Sequence, residues 1–360
     1  MNDALDLLIL DAGAPDRAVA YAQYDADTAV RLIPCQAIAQ LRAFSQRLNR
    51  VSNGEDQRPT PQELGTYGND LFRLVLRDDL LDLYNRLPSD YIRLRIMCNQ
   101  PDIQALAWEY LQQPGTPTGP NNMRGVVRIV PTIGQAMPKP RKLTRKVRVL
   151  FAFADPIDQG PVRWQAIHDT IKQKFASRAG GSFELDVVEA ASIQALAQAL
   201  LRKRYDILHF NGHGAVVVGA DGVQRGHLTF VDAATQRSQQ VSAEQLAMLI
   251  TGRKLQLVIL SSCNSSAGDF TRNYAVVAES LVRRGVPAVV ANQFALPNDV
   301  AATFAIGFYG ELVKTGDVDR AVSAGRLMLA VQNRLPERAV IEWGIPTLYR
   351  HVGAAGLFSK

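Results

Sequence analysis

Two short polar segments of the chain combine residue types that could carry out nucleophilic chemistry. One is HFNGHG at 209–214, and the other is SSCNSS at 261–266. A cysteine attacks as its thiolate, but a free thiol with a pKa of about 8.5 is mostly protonated at neutral pH. A neighbouring histidine can accept that proton and later protonate a leaving amine. We therefore interpret His213 as a candidate general base and Cys263 as a candidate nucleophile.

Small residues around these two side chains would let a substrate approach the backbone. The backbone amides of Gly214 and Cys263 could form an oxyanion hole for a tetrahedral intermediate. Taken alone, HFNGHG could be a tight turn and SSCN an ordinary strand end, and only their combination on adjacent strands favours catalysis. His209 and His213 have a metal-like spacing, but the pair straddles a strand and a glycine turn, so the rings would not share a face. We predict neither a metal nor a cofactor.

The segments that must position these residues alternate between strand and helix. In the second half of the chain, apolar runs predict strands at 146–155, 182–190, 205–210, 255–262, 286–294 and 346–351. Helical periodicity predicts helices at 162–178, 192–203, 242–250, 273–284, 298–314 and 317–333. The alternation predicts an α/β fold with a mostly parallel sheet flanked by helices. Functional residues of such sheets follow the carboxyl ends of the strands, and we interpret 215–227 as a mobile loop over the site.

The first 140 residues predict a smaller, mixed α+β region that precedes the α/β part. Strands are expected at 5–10, 17–24, 28–33, 92–97 and 125–130, and helices at 35–49 and 61–87. A basic run at 139–148 contains six Lys or Arg residues in ten. No aromatic residues interleave with these charges, so we interpret the run as a linker rather than a nucleic-acid site. The predicted division is therefore 1–140 and 141–360.

Composition favours an ordinary globular protein of the cytoplasm. The chain has 360 residues, 47% of them hydrophobic, and a net charge of +6. Its three cysteines, Cys35, Cys98 and Cys263, are sparse and unclustered, which fits a reducing compartment. Acidic residues near the start argue against a signal peptide, and no apolar run has the length of a membrane span. We expect neither a membrane nor a nucleic acid as a partner.

The two motifs together resemble the CHAT family of caspase-like proteins, in the same fold group as caspases, metacaspases, gingipains and separase. HFNGHG is followed about 50 residues later by VILSSCNSS and then by RGVPAVVANQF at 284–294. LAWEYL at 106–111 is similar to a Pro-Trp-Glu-Leu-Leu-type segment of the family, with Ala107 where proline is usual. The resemblance covers roughly residues 60–350.

That resemblance implies a caspase-like sheet and a cysteine endopeptidase acting on a protein substrate. In it, His213 is the general base and acid, Cys263 is the nucleophile, and Gly214 shares the oxyanion hole with the Cys263 amide. The region 1–140 would be regulatory or pseudo-caspase-like, and 141–360 would be the catalytic domain. Three modes of activation stay open: constitutive activity, an activating protein partner, and cleavage within a loop. The resemblance also suggests a role in bacterial defence or regulated death.

Substrate preference is predicted from acidic residues near strand ends. In caspase-like folds the residue after the first sheet strand often lines the pocket for the side chain before the cut, and here that residue is Asp155. A carboxylate there would favour Arg or Lys, although Asp before Pro is also an ordinary turn starter. Asp269 and Asp299 could contribute instead. Two other functions stay open: a non-catalytic scaffold of the same fold, and an amide hydrolase or acyltransferase that uses the same cysteine.

Overall fold

The computed structural model describes most of the chain, including nearly all of the predicted strands and helices. The described residues are 4–14, 17–34, 36–87, 92–117, 119–120, 124–132, 140–142, 146–162, 164–176, 183–219, 224–262, 270–332, 340–352 and 357–359. None of the helices within these ranges combines the length and the apolar character needed to cross a lipid bilayer.

The N-terminal part contains five strands and four helices within the described ranges. They are β1 (Ala4–Ala14), β2 (Arg17–Tyr24), β3 (Asp27–Pro34), α1 (Gln36–Ser52), α2 (Pro61–Val75), α3 (Asp78–Asn85), β4 (Ile92–Cys98), α4 (Pro101–Gln104) and β5 (Arg124–Val130), with a 3-10 turn at Trp108–Tyr110. The single helix predicted over 61–87 is two helices. The helical path breaks at Arg77, which has an extended backbone, and at Asp78, whose φ is 50°.

The C-terminal part alternates strands and helices. Its first elements are β6 (Arg141–Lys142), β7 (Val147–Phe153), α5 (Gln165–Ala176), β8 (Phe183–Val188), α6 (Ile193–Arg202), β9 (Ile207–Val218), β10 (Gln224–Val231), β11 (Ser238–Ser242) and α7 (Ala243–Ile250). Its later elements are β12 (Leu257–Ser262), α8 (Phe270–Arg283), β13 (Ala288–Asn292), α9 (Asn298–Thr315), α10 (Val318–Gln332), β14 (Pro346–His351) and β15 (Phe358–Ser359), with a 3-10 turn at Glu342–Gly344.

One large mixed sheet joins the two parts. Its order is β11-β10-β9-β12-β13-β14-β5-β4-β1-β2-β3, and β7 pairs with both β9 and β8. The central strands pair in parallel, whereas β10, β11, β2 and β3 form antiparallel margins. Strand β14 is antiparallel to β13 and parallel to β5, so the sheet continues from one part into the other. The predicted α/β class with a mostly parallel sheet is confirmed, and the division near residue 140 stays a prediction.

Helices cover both faces of the central strands, which explains why those strands are apolar on both sides. One face of β12 carries Ile259, which belongs to the same core cluster as Phe151 of β7 and residues of α5 and α9. The other face carries Val258 and Leu260, which pack with Phe210 and with residues of α6, α7 and α8. This alternation leaves little freedom for the register of β9 and β12, because a slip by one residue would exchange the two faces.

Candidate active site

The two strands that carry the polar motifs are neighbours in the sheet, as the sequence predicted. β9 and β12 pair in parallel, with Asn211 opposite Ser261 and Gly212 opposite Ser262. Ser262 is the last described residue of β12. Cys263 and Asp269 lie outside the described residues, as does the side chain of Asp299 in the first turn of α9.

His213 lies within a strand and not on a loop. β9 continues past Gly212 because its second half pairs antiparallel with β10, which places His213 opposite Thr229. The loop predicted over 215–227 is therefore wrong for the described residues of that range, which include a strand on each side of residues 220–223. The glycines of HFNGHG suggested a turn, but the valines at 216–218 favour a strand once β10 supplies hydrogen-bond partners.

The ring of His213 is buried and held in one orientation. It is 2% exposed, and its Nε2 atom lies 2.7 Å from the carbonyl oxygen of Gly160. A carbonyl can only accept, so Nε2 must carry the proton and donate it. In the neutral ring Nδ1 is then unprotonated, and this buried atom has no hydrogen-bond partner among the described residues. The ring therefore has one nitrogen, Nδ1, without a hydrogen-bond partner in the described part of the chain.

The carbonyl of Gly160 belongs to the loop between β7 and α5, and side chains anchor that loop. Asp155 accepts a hydrogen bond at 2.9 Å from the amide of Val162. Asp158 accepts from the amide and hydroxyl of Ser238, at 2.8 and 3.0 Å. The loop is thus tied both to itself and to the start of β11, which fixes the acceptor that orients His213.

Asp155, predicted to line a specificity pocket, lies at the start of this loop. It is half-buried, and its Oδ1 atom makes the contact with Val162. The turn role that the sequence also allowed is therefore present. Its Oδ2 atom has no hydrogen bond within the described ranges. A role of Asp155 in substrate binding stays a prediction.

The two glycines of the motif differ in their surroundings. A Cβ atom on Gly212 would lie 2.8 Å from the ring of Phe210, too close for a side chain. A glycine at 212 therefore leaves room for the Phe210 ring on the same strand. Gly214 lies opposite Leu228 in the antiparallel pairing with β10. The assignment of its amide to an oxyanion hole stays a prediction.

Asn211 is a buried polar residue of β9, two positions before His213, that the sequence analysis did not select. It is fully buried, and neither its Oδ1 nor its Nδ2 atom has a hydrogen-bond partner among the described residues. Leaving a buried amide unpaired costs about 1–3 kcal/mol. The sequence could have pointed to Asn211, because alternate residues of a strand face the same side and 211 lies between His209 and His213.

His209 is a structural residue and cannot share the role of His213. Its Nδ1 atom lies 2.7 Å from the hydroxyl of Tyr309 and its Nε2 atom 2.9 Å from Oγ of Ser261. Burial lowers the pKa of His209 to about 3, so the ring is neutral at physiological pH. Both nitrogens are occupied by hydroxyl groups, and within the described ranges no cluster of His, Cys, Asp or Glu could hold a metal ion.

The LAWEYL segment of the N-terminal part contacts residues of β5 and the residue that follows β13. Glu109 and Arg128 form a buried ion pair at 2.7 Å. Gln293, directly after β13, donates to Oε2 of Glu109 at 2.8 Å and to the carbonyl of Gly344 at 2.6 Å. Burial alone would raise the pKa of Glu109, but the charge of Arg128 lowers it overall, so Glu109 is ionised. The segment therefore connects β5 to the carboxyl end of β13.

Comparisons with solved structures find distant likenesses. The separase chain of the Saccharomyces cerevisiae separase–securin complex is 11% identical with a TM-score of 0.48, covering 97% of this chain and 30% of that chain. The Porphyromonas gingivalis RgpB pro- and mature domains give 11% identity and a TM-score of 0.49, covering 88% and 77%. The Drosophila initiator caspase Dronc is 9% identical with a TM-score of 0.36, and the match covers 63% of this chain and 90% of the Dronc chain. This chain thus spans less than a third of the separase chain.

A search of the curated proteins finds no match. Because these TM-scores are below 0.5, the family of this chain is assigned from the family model alone. The family model described as CHAT domain matches residues 66–353, a range that contains LAWEYL, HFNGHG and the SSCNSS segment. The family prediction is therefore confirmed, and the chain belongs to the CHAT-domain family.

Proposed function

We propose that this protein is a cysteine endopeptidase that cleaves a protein partner with His213 and Cys263. The observation that carries the proposal is the state of the His213 ring. Its Nε2 atom donates to the Gly160 carbonyl, and its buried Nδ1 atom is left without a partner among the described residues. The strand beside it, β12, leads directly to Cys263 in the sequence.

The reaction follows from these two groups. Nδ1 of His213 takes the thiol proton, and the thiolate of Cys263 attacks the carbonyl carbon of the peptide bond. The amides of Gly214 and Cys263 stabilise the oxyanion of the tetrahedral intermediate. His213 then gives its Nδ1 proton to the leaving amine, and a thioester remains on Cys263.

A water molecule completes the cycle. His213 removes a proton from the water as it attacks the thioester, and the same proton returns to the sulfur when the carboxylic acid product leaves. The Gly160 carbonyl assists throughout, because it accepts from Nε2–H and stabilises the imidazolium that forms twice per turnover. It also prevents rotation of the ring away from the reacting atoms.

The wider role is proposed from the CHAT-domain family. The substrate is a protein, an activating partner protein switches the enzyme on, and the setting is bacterial defence or regulated death in the cytoplasm. The region 1–140 regulates the catalytic part at 141–360. Co-expression of the chain with candidate partners, against Cys263→Ala as the inactive control, tests this: a fragment of a partner that appears only with the wild type supports it, and intact partners contradict it.

Cys263 is expected to react with iodoacetamide at neutral pH faster than the other thiols. Burial raises the pKa of Cys98 to about 11, and its thiol donates to the Gln100 carbonyl at 3.4 Å, so almost no Cys98 thiolate is present at pH 7. His213→Ala should slow labelling of Cys263 by about tenfold, because the base that forms the thiolate is lost. Peptide mapping by mass spectrometry measures both rates.

The matched control for the labelling is His168→Ala, which removes a histidine of α5 whose Nδ1 atom lies 3.1 Å from the carboxylate of its neighbour Asp169. It should leave the Cys263 rate unchanged. Faster labelling of Cys35 or Cys98 than of Cys263 would count against the proposed dyad.

Substrates with Arg or Lys before the cut are expected to be preferred, with Asp155 the first candidate for the pocket carboxylate and Asp269 and Asp299 the next. Asp155→Asn separates its two roles, because the amide oxygen still accepts from Val162 while the charge is lost. That variant should lower kcat/KM for an Arg substrate by about 10- to 100-fold, since a hydrogen bond to a charged group contributes about 1.5–3 kcal/mol.

Asp155→Ala also removes the loop contact, and it should lower turnover of every substrate. Profiling both variants on a peptide library distinguishes charge recognition from loop anchoring. A wild-type preference for Leu, Met or Asp before the cut would refute the acidic pocket.

A further inference from the structure

A cavity of about 670 Å³ lies in the N-terminal part, between α1, α2 and the edge strand β3. This volume is within the 300–1,000 Å³ typical of small-molecule sites. Its lining residues all lie between Arg31 and Arg77, before the strands that carry the candidate active site. The cavity therefore has no part in the proposed peptidase chemistry, and an inference about it stands independently.

The cavity has more positive than negative charge. Its ionisable lining residues are Arg31, Arg47, Arg73, Arg77, Glu63 and Asp70. Arg47 pairs with Glu63 at 2.9 Å. Arg73 pairs with Asp70 at 3.4 Å. These two pairs cancel and leave Arg31 and Arg77, although Asp78, outside the lining, lies 3.7 Å from Arg31.

Arg31 and Arg77 have unused hydrogen-bonding capacity. The Nη1 atom of Arg31 is buried and has no hydrogen-bond partner among the described residues, and its nearest carboxylate, that of the exposed Asp78, is 3.7 Å away. The exposed Arg77 side chain has neither a hydrogen bond nor an ion pair within the described ranges. Burial, followed by repulsion from Arg77, lowers the pKa of Arg31. Arg31 and Arg77 thus carry like charges that repel each other, and the exposed Asp78 compensates Arg31 from 3.7 Å.

Apolar side chains form part of the remaining wall, next to the polar side chains of Gln40, Thr60, Gln62 and Thr66. Leu41 and Leu74 line it from α1 and α2. Phe44 is half-buried and stacks on Tyr67 with a centroid distance of 4.7 Å. A ligand here would place an anionic group at the arginines and an uncharged body against these side chains.

We propose that this cavity binds a small phosphate monoester, with its phosphate on Arg31 and Arg77 and its organic body against Phe44 and Leu74. A phosphate monoester carries about −1.5 to −2 charge at pH 7 and three acceptor oxygens. Three acceptor oxygens can bind both guanidinium groups at once, whereas a carboxylate offers only two oxygens. Arginine is suited to phosphate because its guanidinium donates two parallel hydrogen bonds.

Phenyl phosphate is the probe that tests the site, with phenol and inorganic phosphate as the two halves of the ligand. Isothermal titration of the full chain should give saturable binding of phenyl phosphate. Phenol should not bind, and inorganic phosphate should bind at least about tenfold more weakly, a difference of about 1.4 kcal/mol. Absence of saturable binding of phenyl phosphate, or equal binding of phenol, would overturn the proposal.

Arginine variants assign the binding to this cavity. Arg77→Gln and Arg31→Gln should each weaken phenyl phosphate binding by about tenfold or more, because each loses a charged hydrogen bond. Arg77 is exposed, so its variant tests the site even if Arg31→Gln lowers stability. The matched control is Arg42→Gln on α1, whose side chain pairs with Asp102 at 2.7 Å and does not line the cavity.

Unchanged binding in Arg77→Gln, or the same loss in Arg42→Gln, would refute the assignment. The readout is the heat of binding and not peptidase activity. A failure here therefore leaves the proposed function untouched, and a failure of the peptidase proposal leaves this site untouched.

Discussion

Cys263→Ala and His213→Ala are each expected to lower peptidase kcat/KM by about 10³- to 10⁴-fold, as is typical for loss of general acid–base catalysis or of its nucleophile. The thiolate and its base act as one unit, so the double variant should be no less active than the worse single variant. Initial rates on a peptide identified from the library measure all three.

Matched controls for this experiment exist in the chain. Cys98→Ala removes a half-buried thiol, and His168→Ala removes a histidine of α5 that is not part of the site. Both should retain activity. Circular dichroism and the midpoint of thermal unfolding verify that His213→Ala is folded, because its ring is buried. If His209→Ala abolished turnover and His213→Ala did not, the assignment of the base would be wrong.

Glu109→Ala is expected to lower the free energy of unfolding by about 3–5 kcal/mol, since it leaves the Arg128 guanidinium buried without its counter-charge. Burial favours the neutral form of Arg128, but Glu109 raises the pKa of Arg128 above its ordinary value, so the cation persists. The Glu109 side chain is 0% and the Arg128 side chain 11% exposed. Urea unfolding followed by tryptophan fluorescence measures the change.

The control for this prediction is an exposed ion pair of the same kind. Asp102→Ala breaks the pair with Arg42, whose side chains are 47% and 40% exposed, and should cost less than about 1 kcal/mol. The double variant Glu109→Ala with Arg128→Met should be more stable than the sum of the single changes, because no buried charge remains. A loss below about 1 kcal/mol in Glu109→Ala would contradict the buried-pair argument.

The strands and most helices could be predicted from local patterns. β7, β12 and β13 are short apolar runs bounded by polar or turn-forming residues, and such runs have few alternatives to a buried strand. The order of these segments also placed the HFNGHG and SSCNSS motifs on neighbouring strands, because parallel α/β sheets present their carboxyl ends at one edge. The second half of β9 could not be predicted in this way. Its strand conformation depends on pairing with β10.

The sequence by itself therefore determined the α/β class, the CHAT-domain family and the identity of the candidate base, because these depend on residue types and their spacing along the chain. Only the tertiary structure decided which nitrogen of His213 donates to a backbone carbonyl, since Gly160 is 53 positions away. It also decided that Asp155 anchors that loop and that Glu109, Arg128 and Gln293 form one buried network across 184 positions. The physical reason is the same in each case: periodicity records which face of an element is buried, but a hydrogen bond depends on which distant group folding brings within about 3 Å.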